Sequence, residues 1–123
     1  MLREGRDAAA IWDMSQAVQG IVKSMQGVTP DDYAGEENLR LSNERRLEIL
    51  GEAARRVSPE FRNKHPEVPW RDVIGQRNIV IHQYDEIDLM RIWRFSVEDA
   101  PALLKTLKKI VDELTAAGEI PEE

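Results

Sequence analysis

The chain has 123 residues, 41% of them hydrophobic and 33% charged, with a formal net charge of −6 and no cysteine. This length suits one domain with a single core, and the missing cysteines exclude disulfides, thiolate metal sites and cysteine nucleophiles. No apolar run reaches the roughly 20 residues of a membrane helix and no secretory signal begins the chain, so we expect a cytoplasmic protein without a membrane partner.

The first predicted helix spans residues 6–26, where apolar side chains recur three and four positions apart. Gly27 follows it and is a typical helix stop. Thr29 and Pro30 then form a new start signal, because a hydroxyl cap followed by proline at the first helical position favours a helix. We expect only a short helical turn there before the next long element.

A second long helix is predicted from Glu37 to Val57. Its apolar stripe repeats with helical spacing at Leu47, Leu50, Ala54 and Val57. The small residues around Gly51 would permit another helix to approach closely. Ser58 and Pro59 repeat the cap-plus-proline signal, so a second short helical turn is expected after this helix.

Two further helices are predicted in the second half of the chain. The third covers residues 69–82, and the fourth begins at Asp88, which is a suitable N-cap. Apolar residues keep one helical phase over residues 89–114 and on both sides of Pro101, which indicates a kink rather than a break.

This pattern as a whole predicts an all-α fold. No stretch alternates apolar and polar residues as a half-buried strand does, and the one β-branched run, residues 79–81, is short. Four principal amphipathic helices with short connections favour an antiparallel bundle without a β-sheet. Since Gly118 ends the last helix, we expect one domain over residues 1–118 and a disordered acidic tail over 119–123.

The densest group of chemically useful side chains is Arg77, Asn78, His82 and Tyr84. Arg77 offers a planar cation that matches phosphate oxygens, and His82 can accept and return protons near neutral pH. RNA cleavage without a metal needs a base for the ribose 2′-hydroxyl, an acid for the leaving oxygen and a cation for the charged phosphorane. One histidine cannot easily fill both proton-transfer roles, whereas a two-fold dimer would supply two.

The spacing of Arg77 and His82 leaves more than one arrangement open. Positions five residues apart lie about 140° apart around an α-helix, so the two do not share a face. Either the helix ends before His82, or the two side chains act across a dimer interface. A purely structural interpretation also stands, in which His82 bonds a carbonyl and Arg77 pairs with Asp72 or Glu86.

Two polar residues are candidates to support this group. Asn78 lies one turn before His82 and shares its face. Glu52 lies in an otherwise small and apolar segment and could orient Arg77 or His82, although a structural salt bridge is the commoner role of such a carboxylate. With two histidines and no cysteine, a zinc site is not expected. A carboxylate metal site stays possible but has no recognisable spacing, so no metal ligand and no cofactor are predicted.

The negative net charge means that any contact with RNA needs a local basic patch. The candidates, each of which is more commonly a solvated surface charge, are Arg55, Arg56, Arg62, Lys64, Arg71 and Arg77. Trp12, Trp70 and Trp93 could stack on bases, but a core position is the commoner role, especially for Trp93 on the apolar stripe.

Residues 77–84 read R-x4-H-x-Y, which resembles the signature of the HEPN superfamily and specifically its HepT-like branch. The resemblance covers nearly the whole chain up to about Leu114. Its supporting segments are residues 47–54, 66–70, 74–78, 82–84 and the final helix anchored at Asp88. The arginine–histidine spacing alone is loose, and these flanking segments make it specific.

This resemblance implies a HEPN-type bundle of four to five helices that forms a homodimer with a composite site. It implies a metal-independent endoribonuclease, the toxin of a toxin–antitoxin pair, with Arg77 and His82 as catalytic residues and Asn78 in the polar position after the arginine. The antitoxin would be a minimal nucleotidyltransferase that transfers AMP from ATP to Tyr84 and silences the toxin. Phosphates beside Arg77 would compete with RNA for that cation.

Two other functions remain open from the sequence. The chain could be a non-catalytic helical module that binds a nucleotidyltransferase, or a dimeric bundle with a structural role only. RNA cleavage that survives EDTA and is lost in His82→Ala would separate the ribonuclease from both.

Overall fold

Helices account for all regular secondary structure in the computed structural model, which describes residues 3–82 and 85–121, without the side chains of residues 3, 4 and 82. The helices are α1 Arg3–Met25, α2 Pro30–Gly35, α3 Glu37–Arg56, α4 Pro59–Lys64, α5 Trp70–His82, α6 Glu86–Arg94 and α7 Ala100–Ala116. The prediction of an all-α fold is therefore confirmed. Within these ranges, no helix is both long enough and apolar enough to cross a membrane.

The core lies between α1 and its neighbours. α1 packs against both α3 and α7, and α5 packs on the other side of α3. The predicted stripes of α1 and α3 are buried, with Met14, Val18 and Ile21 of α1 and Leu47 and Leu50 of α3 wholly inaccessible. These apolar side chains supply the hydrophobic free energy that holds the long helices together.

The chain contacts show that α3 runs antiparallel to both of its neighbours. Near the C-terminal end of α3, Arg56 reaches Asp13 in the first half of α1, at 2.8 Å, whereas Arg46 earlier in α3 donates to Ser24 near the end of α1. On the other side, Arg62 of α4 binds a carbonyl at the C-terminal end of α3 and lies 5.9 Å from the ring centroid of Trp70, the first residue of α5. Gly51, earlier in α3, lies beside Arg77, well inside α5.

The two short helices begin where the cap-plus-proline signals predicted. The Thr29 hydroxyl accepts a hydrogen bond from the Asp32 backbone N–H at 3.0 Å, and the Ser58 hydroxyl accepts one from the Phe61 N–H at 3.2 Å. Each contact satisfies a helix-terminal donor that would otherwise lack a partner within the helix.

The start of α6 differs from the prediction. Asp85, not Asp88, is the N-cap, and its carboxylate accepts from the Asp88 N–H at 2.9 Å. Asp88 is the third helical residue, and its own carboxylate accepts from the Asp85 N–H at 3.3 Å. The two aspartates therefore form a reciprocal capping box that places the helix start three residues earlier.

The helical distortion near Pro101 lies before the proline. α6 ends at Arg94, a π-helical turn covers Phe95–Asp99, and α7 begins at Ala100. Proline has no N–H to donate to the carbonyl four residues earlier, and its ring crowds that carbonyl. The wider turn accommodates this crowding while Phe95 and Ser96 stay buried.

The chain after α7 turns back onto the bundle. Gly118 has φ +79°, a left-handed conformation that glycine adopts without steric cost. The Glu119 N–H donates to the Leu114 carbonyl at 2.9 Å, and Ile120 is buried. The domain boundary at residue 118 stays a prediction, although Ile120 lies within the expected tail; residues 122–123 are outside the described ranges.

Candidate active site

α5 approaches α3 closely at Gly51. A Cβ atom built on Gly51 would lie 2.3 Å from the Cβ of Arg77 and 2.9 Å from its Cδ. Carbon atoms do not pack this closely, so any larger residue at position 51 would push α5 away from α3. The prediction that small residues here admit another helix is confirmed, and the helix they admit carries Arg77.

Arg77 is held at this contact by polar partners on both helices. Its Nη2 forms an ion pair with the Glu52 carboxylate, and its Nη1 donates to the Asn78 Oδ1 at 3.3 Å. The Nε is buried without a hydrogen-bond partner among the residues that the structure describes. The structural interpretation that paired Arg77 with Asp72 or Glu86 does not match this geometry, since the carboxylate on Arg77 belongs to Glu52.

The guanidinium lies at the boundary between the core and the surface. The Arg77 side chain is 15% exposed, whereas that of Glu52 is 48% exposed and Asn78 is also exposed. Arg55 approaches the same Glu52 carboxylate at 3.9 Å and is itself largely exposed. The outer edge of Arg77 therefore meets groups that solvent reaches, while its aliphatic stem packs against Gly51.

α5 remains helical through His82. The arrangement in which the helix ends before His82 is therefore wrong, and the positions of Arg77 and His82 lie about 140° apart around one helix axis. Within one protomer they do not share a face of α5. The His82 side chain and the whole of Tyr84 lie outside the described residues, so their assigned roles stay predictions.

The second histidine, His65, belongs to a different set of contacts. Its Nδ1 lies 2.9 Å from the Glu67 carboxylate, and its ring packs on Phe61 with the centroids 4.6 Å apart. The hydrogen bond with His65 lowers the pKa of Glu67. His65 therefore supports the link between α4 and α5.

The candidate basic residues have diverse contacts. Arg56 pairs with Asp13, and Arg62 donates to backbone carbonyls at the end of α3, including that of Ala54 at 3.1 Å. Lys64 and Arg71 are exposed. Only some of the candidates thus keep a cation available at the surface.

All three tryptophans pack against the core, which is the commoner role expected for them from the sequence. The Trp93 indole donates to the Val28 carbonyl at 2.8 Å, and the Trp70 indole donates to the His65 carbonyl at 3.0 Å. Among the side chains described, no three acidic or histidine residues come together as candidate metal ligands.

The ribonuclease HepT-like family matches residues 14–110 of the chain. Three relatives named as ribonucleases are similar over most of their length. "Putative RNase MJ1380" of Methanocaldococcus jannaschii is 33% identical over 104 residues, 84% of this chain and 95% of the relative. "Putative RNase TTE0752" of Caldanaerobacter subterraneus subsp. tengcongensis is 32% identical over 98 residues, 80% and 88% respectively.

The third relative, "Probable ribonuclease HepT" of Thermococcus cleftensis, is 30% identical over 98 residues, 80% of this chain and 89% of the relative. No solved structure matches the chain significantly. The family match covers α3 and α5 completely and parts of α1 and α7, and it includes the Gly51–Arg77 contact. The resemblance predicted from the sequence is confirmed: this chain belongs to the ribonuclease HepT-like family.

Proposed function

We propose that the chain is a metal-independent endoribonuclease in which Arg77 and His82 from two copies act on one RNA phosphate. The observation that carries this proposal is the fixed guanidinium of Arg77, held between Gly51, Glu52 and Asn78 at the edge of the α3–α5 contact. A cation fixed in advance at a surface can stabilise charge that develops on a phosphate without reorganising. Membership of the ribonuclease HepT-like family supports RNA as the substrate.

The proposed reaction uses the ribose 2′-hydroxyl as nucleophile. One His82 accepts the hydroxyl proton as the oxygen attacks phosphorus, and the other His82 donates a proton to the 5′-oxygen as its bond to phosphorus breaks. Arg77 stabilises the phosphorane between these steps. The products are a 2′,3′-cyclic phosphate and a free 5′-hydroxyl, so this step consumes no water and requires no metal.

An exposed apolar edge beside Arg77 supports dimerisation there. Ile49 lies one turn before Glu52 in α3 and Ile81 lies one turn after Arg77 in α5, and they are 39% and 43% exposed. Because the two helices are antiparallel, both isoleucines are displaced to the same side of the Arg77–Glu52 pair. Clustered exposed apolar side chains are typical of protein interfaces.

The continuous helix is a second reason to invoke a dimer. Since one α5 carries Arg77 and His82 on different sides, a second copy provides the way to bring both residue types to one phosphate. A two-fold axis at this edge would place the two α5 helices together, and each copy would contribute the same residues.

The regulation that we propose acts on Tyr84, two residues after His82. A minimal nucleotidyltransferase antitoxin would transfer AMP from ATP to the tyrosine oxygen, with release of pyrophosphate. The negative charge added near the motif would compete with RNA for Arg77. The support for this step is the R-x4-H-x-Y spacing together with the family membership.

The test is cleavage of labelled RNA in EDTA by the wild type and by His82→Ala. We expect the wild type to cleave and His82→Ala to be slower by about 10²–10⁴-fold, the usual contribution of a general acid–base. His65→Ala is the matched control and should stay near the wild-type rate, because His65 pairs with Glu67 outside the Arg77 contact.

Full activity in His82→Ala, or loss of wild-type activity in EDTA, would contradict the proposed mechanism. A wild-type protein that binds a nucleotidyltransferase tightly but never cleaves RNA would favour the non-catalytic binding module instead. Light scattering on the same samples reports whether the active species is a dimer.

A further inference from the structure

A cavity of about 530 Å³ opens where α4 leads into α5, and neither Arg77 nor Asn78 lines it. Its walls include Arg62 and Asn63 from α4 and Trp70, Arg71 and Asp72 from the first turn of α5. Nothing in the proposed cleavage chemistry uses these side chains.

One wall of this cavity is a rigid pair of flat groups. The Arg62 Nε donates to the Val57 carbonyl, and its Nη2 donates to the carbonyls of Ala54 and Arg55, each at 3.1 Å. The guanidinium carbon lies 5.9 Å from the centroid of the Trp70 ring. The guanidinium lies over the indole face, and such a fixed pair of flat groups is the kind of surface on which nucleobases stack, whatever their sequence.

The cavity lies on the same edge of the bundle as Arg77. Trp70 precedes Arg77 by two helical turns, so both occupy the same side of α5, about 10 Å apart along its axis. On α3, the carbonyls that bind Arg62 are one turn beyond Gly51, which contacts Arg77. A short stretch of a single RNA strand can span this distance.

Charge favours RNA on this side of the α5 N-terminus. The cavity holds two guanidinium groups, on Arg62 and Arg71, against the single carboxylate of Asp72, in a chain whose net charge is −6. A second cavity, on the other side of Pro69, is lined by Glu67, Asp72, Glu98 and Asp99. The acidic side repels phosphates, so a strand leaving Arg77 is directed toward Arg62 and Arg71.

We propose that this cavity is a nucleotide-binding subsite for the RNA that flanks the cleaved phosphate. A base stacks against Trp70 and Arg62, and the exposed Arg71 pairs with the phosphate of the same nucleotide. The subsite deepens the proposed ribonuclease function and rests on it. It supplies the local basic patch that an acidic RNA-binding protein requires.

The test is the affinity of the full chain for a fluorescent single-stranded RNA of about 12 nucleotides, a length within the site sizes of single-strand binders. Every ribose carries a 2′-O-methyl group, which blocks the nucleophile and keeps the RNA intact. Arg71→Ala is compared with Lys108→Ala, which removes the same charge from an exposed position on α7. Asn63→Ala is a second variant in the cavity.

We expect Arg71→Ala to weaken binding by roughly tenfold and to lower the slope of log affinity against log salt by about one, the effect of one lost phosphate contact. Asn63→Ala should weaken binding less, and Lys108→Ala should match the wild type. Equal affinities and salt slopes for Arg71→Ala and Lys108→Ala would overturn the subsite. Failure of the wild type to cleave unmodified RNA would overturn the proposed function, while the binding comparison would still decide the subsite.

Discussion

Two polar clusters on α3 differ in their solvent exposure. Asn43 is completely buried, and its Nδ2 donates to the Tyr33 hydroxyl at 3.1 Å and to the Ser96 hydroxyl at 2.9 Å. The Ser96 hydroxyl in turn donates to the Ile92 carbonyl at 2.7 Å. Glu52, two and a half turns later, is half exposed and holds Arg77 at the surface.

The difference separates a structural role from a chemical one. The Asn43 cluster joins α2, α3 and the π-helical turn through groups that no ligand reaches, so its hydrogen bonds specify how these elements meet. The Glu52–Arg77 pair lies at the boundary between the core and the surface, because the Arg77 side chain is 15% exposed and that of Glu52 is 48% exposed. In the proposed mechanism, the outer edge of this guanidinium is the cation that stabilises the RNA phosphate.

Arg77→Lys should separate the two clusters most strongly. A lysine keeps the charge and can still pair with Glu52, but it lacks the planar fork that would hold Glu52, Asn78 and a phosphate together. We expect kcat/KM for RNA to fall by about 10²–10³-fold, with the urea midpoint almost unchanged. An unchanged cleavage rate would show that Arg77 has only a structural role.

Gly51→Ala should damage both the packing and the site. The added Cβ would collide with Arg77 and displace α5, at a cost of about 1–3 kcal/mol in the free energy of unfolding. Cleavage per folded molecule should fall by about tenfold or more, because the guanidinium moves with its helix. Urea denaturation and RNA cleavage are measured on the same preparation.

The control for that variant is Gly35→Ala, where a Cβ would meet nothing within 4 Å. We expect its free energy of unfolding to stay within about 1 kcal/mol of the wild-type value. Its rate of RNA cleavage should be close to that of the wild type. Equal behaviour of the two alanine variants would contradict the assigned role of the Gly51 contact.

Asn43→Ala should have the opposite profile to Arg77→Lys. The variant removes the buried hydrogen bonds that Asn43 donates to the Tyr33 and Ser96 hydroxyls. We expect the free energy of unfolding to fall by about 1–2 kcal/mol. Cleavage per folded molecule should change little, because Asn43 lies far along α3 from Arg77. A large loss of cleavage in fully folded protein would erase the distinction between the two clusters.

Asp99→Asn should give the smallest effect, and one that depends on pH. Burial first, and then the charges of Asp72 and Glu98, raise the pKa of Asp99. The native state therefore binds this proton more tightly than the unfolded chain, and the stability contributed by protonation is lost as pH rises through the raised pKa.

At neutral pH the ionised Asp99 thus destabilises the wild type, and asparagine removes that effect. We expect Asp99→Asn to be more stable by less than about 1 kcal/mol at pH 7, because solvent screens much of this carboxyl, and to lose the advantage in acid. Urea denaturation from pH 3 to pH 7 measures the difference. A stability difference between Asp99→Asn and the wild type that grows toward acid pH would contradict the raised pKa of Asp99.

Local signals in the sequence predicted most of the architecture. Helical periodicity placed the long helices, and the Thr29 and Ser58 caps located both short ones because a cap acts over only three residues. The start of α6 was harder to predict. Asp85 and Asp88 are each able to cap, and only the backbone geometry shows that Asp85 is the cap and Asp88 its reciprocal partner.

Contacts between distant residues were less accessible from the sequence. Glu52 was one of several possible partners for Arg77, and the pairing depends on how α5 packs against Gly51. The π-helical turn before Pro101 reflects a balance between a crowded carbonyl and the burial of Phe95, which periodicity does not register. The burial of Ile120 similarly depends on the turn at Gly118.

The proposed composite site is tested most directly by mixing wild-type chains with His82→Ala chains at constant total concentration and refolding them together. If each active site needs His82 from both copies, only dimers of two wild-type chains cleave RNA, and an equal mixture should show about a quarter of the wild-type rate. Lys108→Ala chains in place of His82→Ala should leave the full rate. A rate that falls in proportion to the wild-type fraction, to about half, would show that one His82 is enough for each active site and would contradict the two-histidine mechanism.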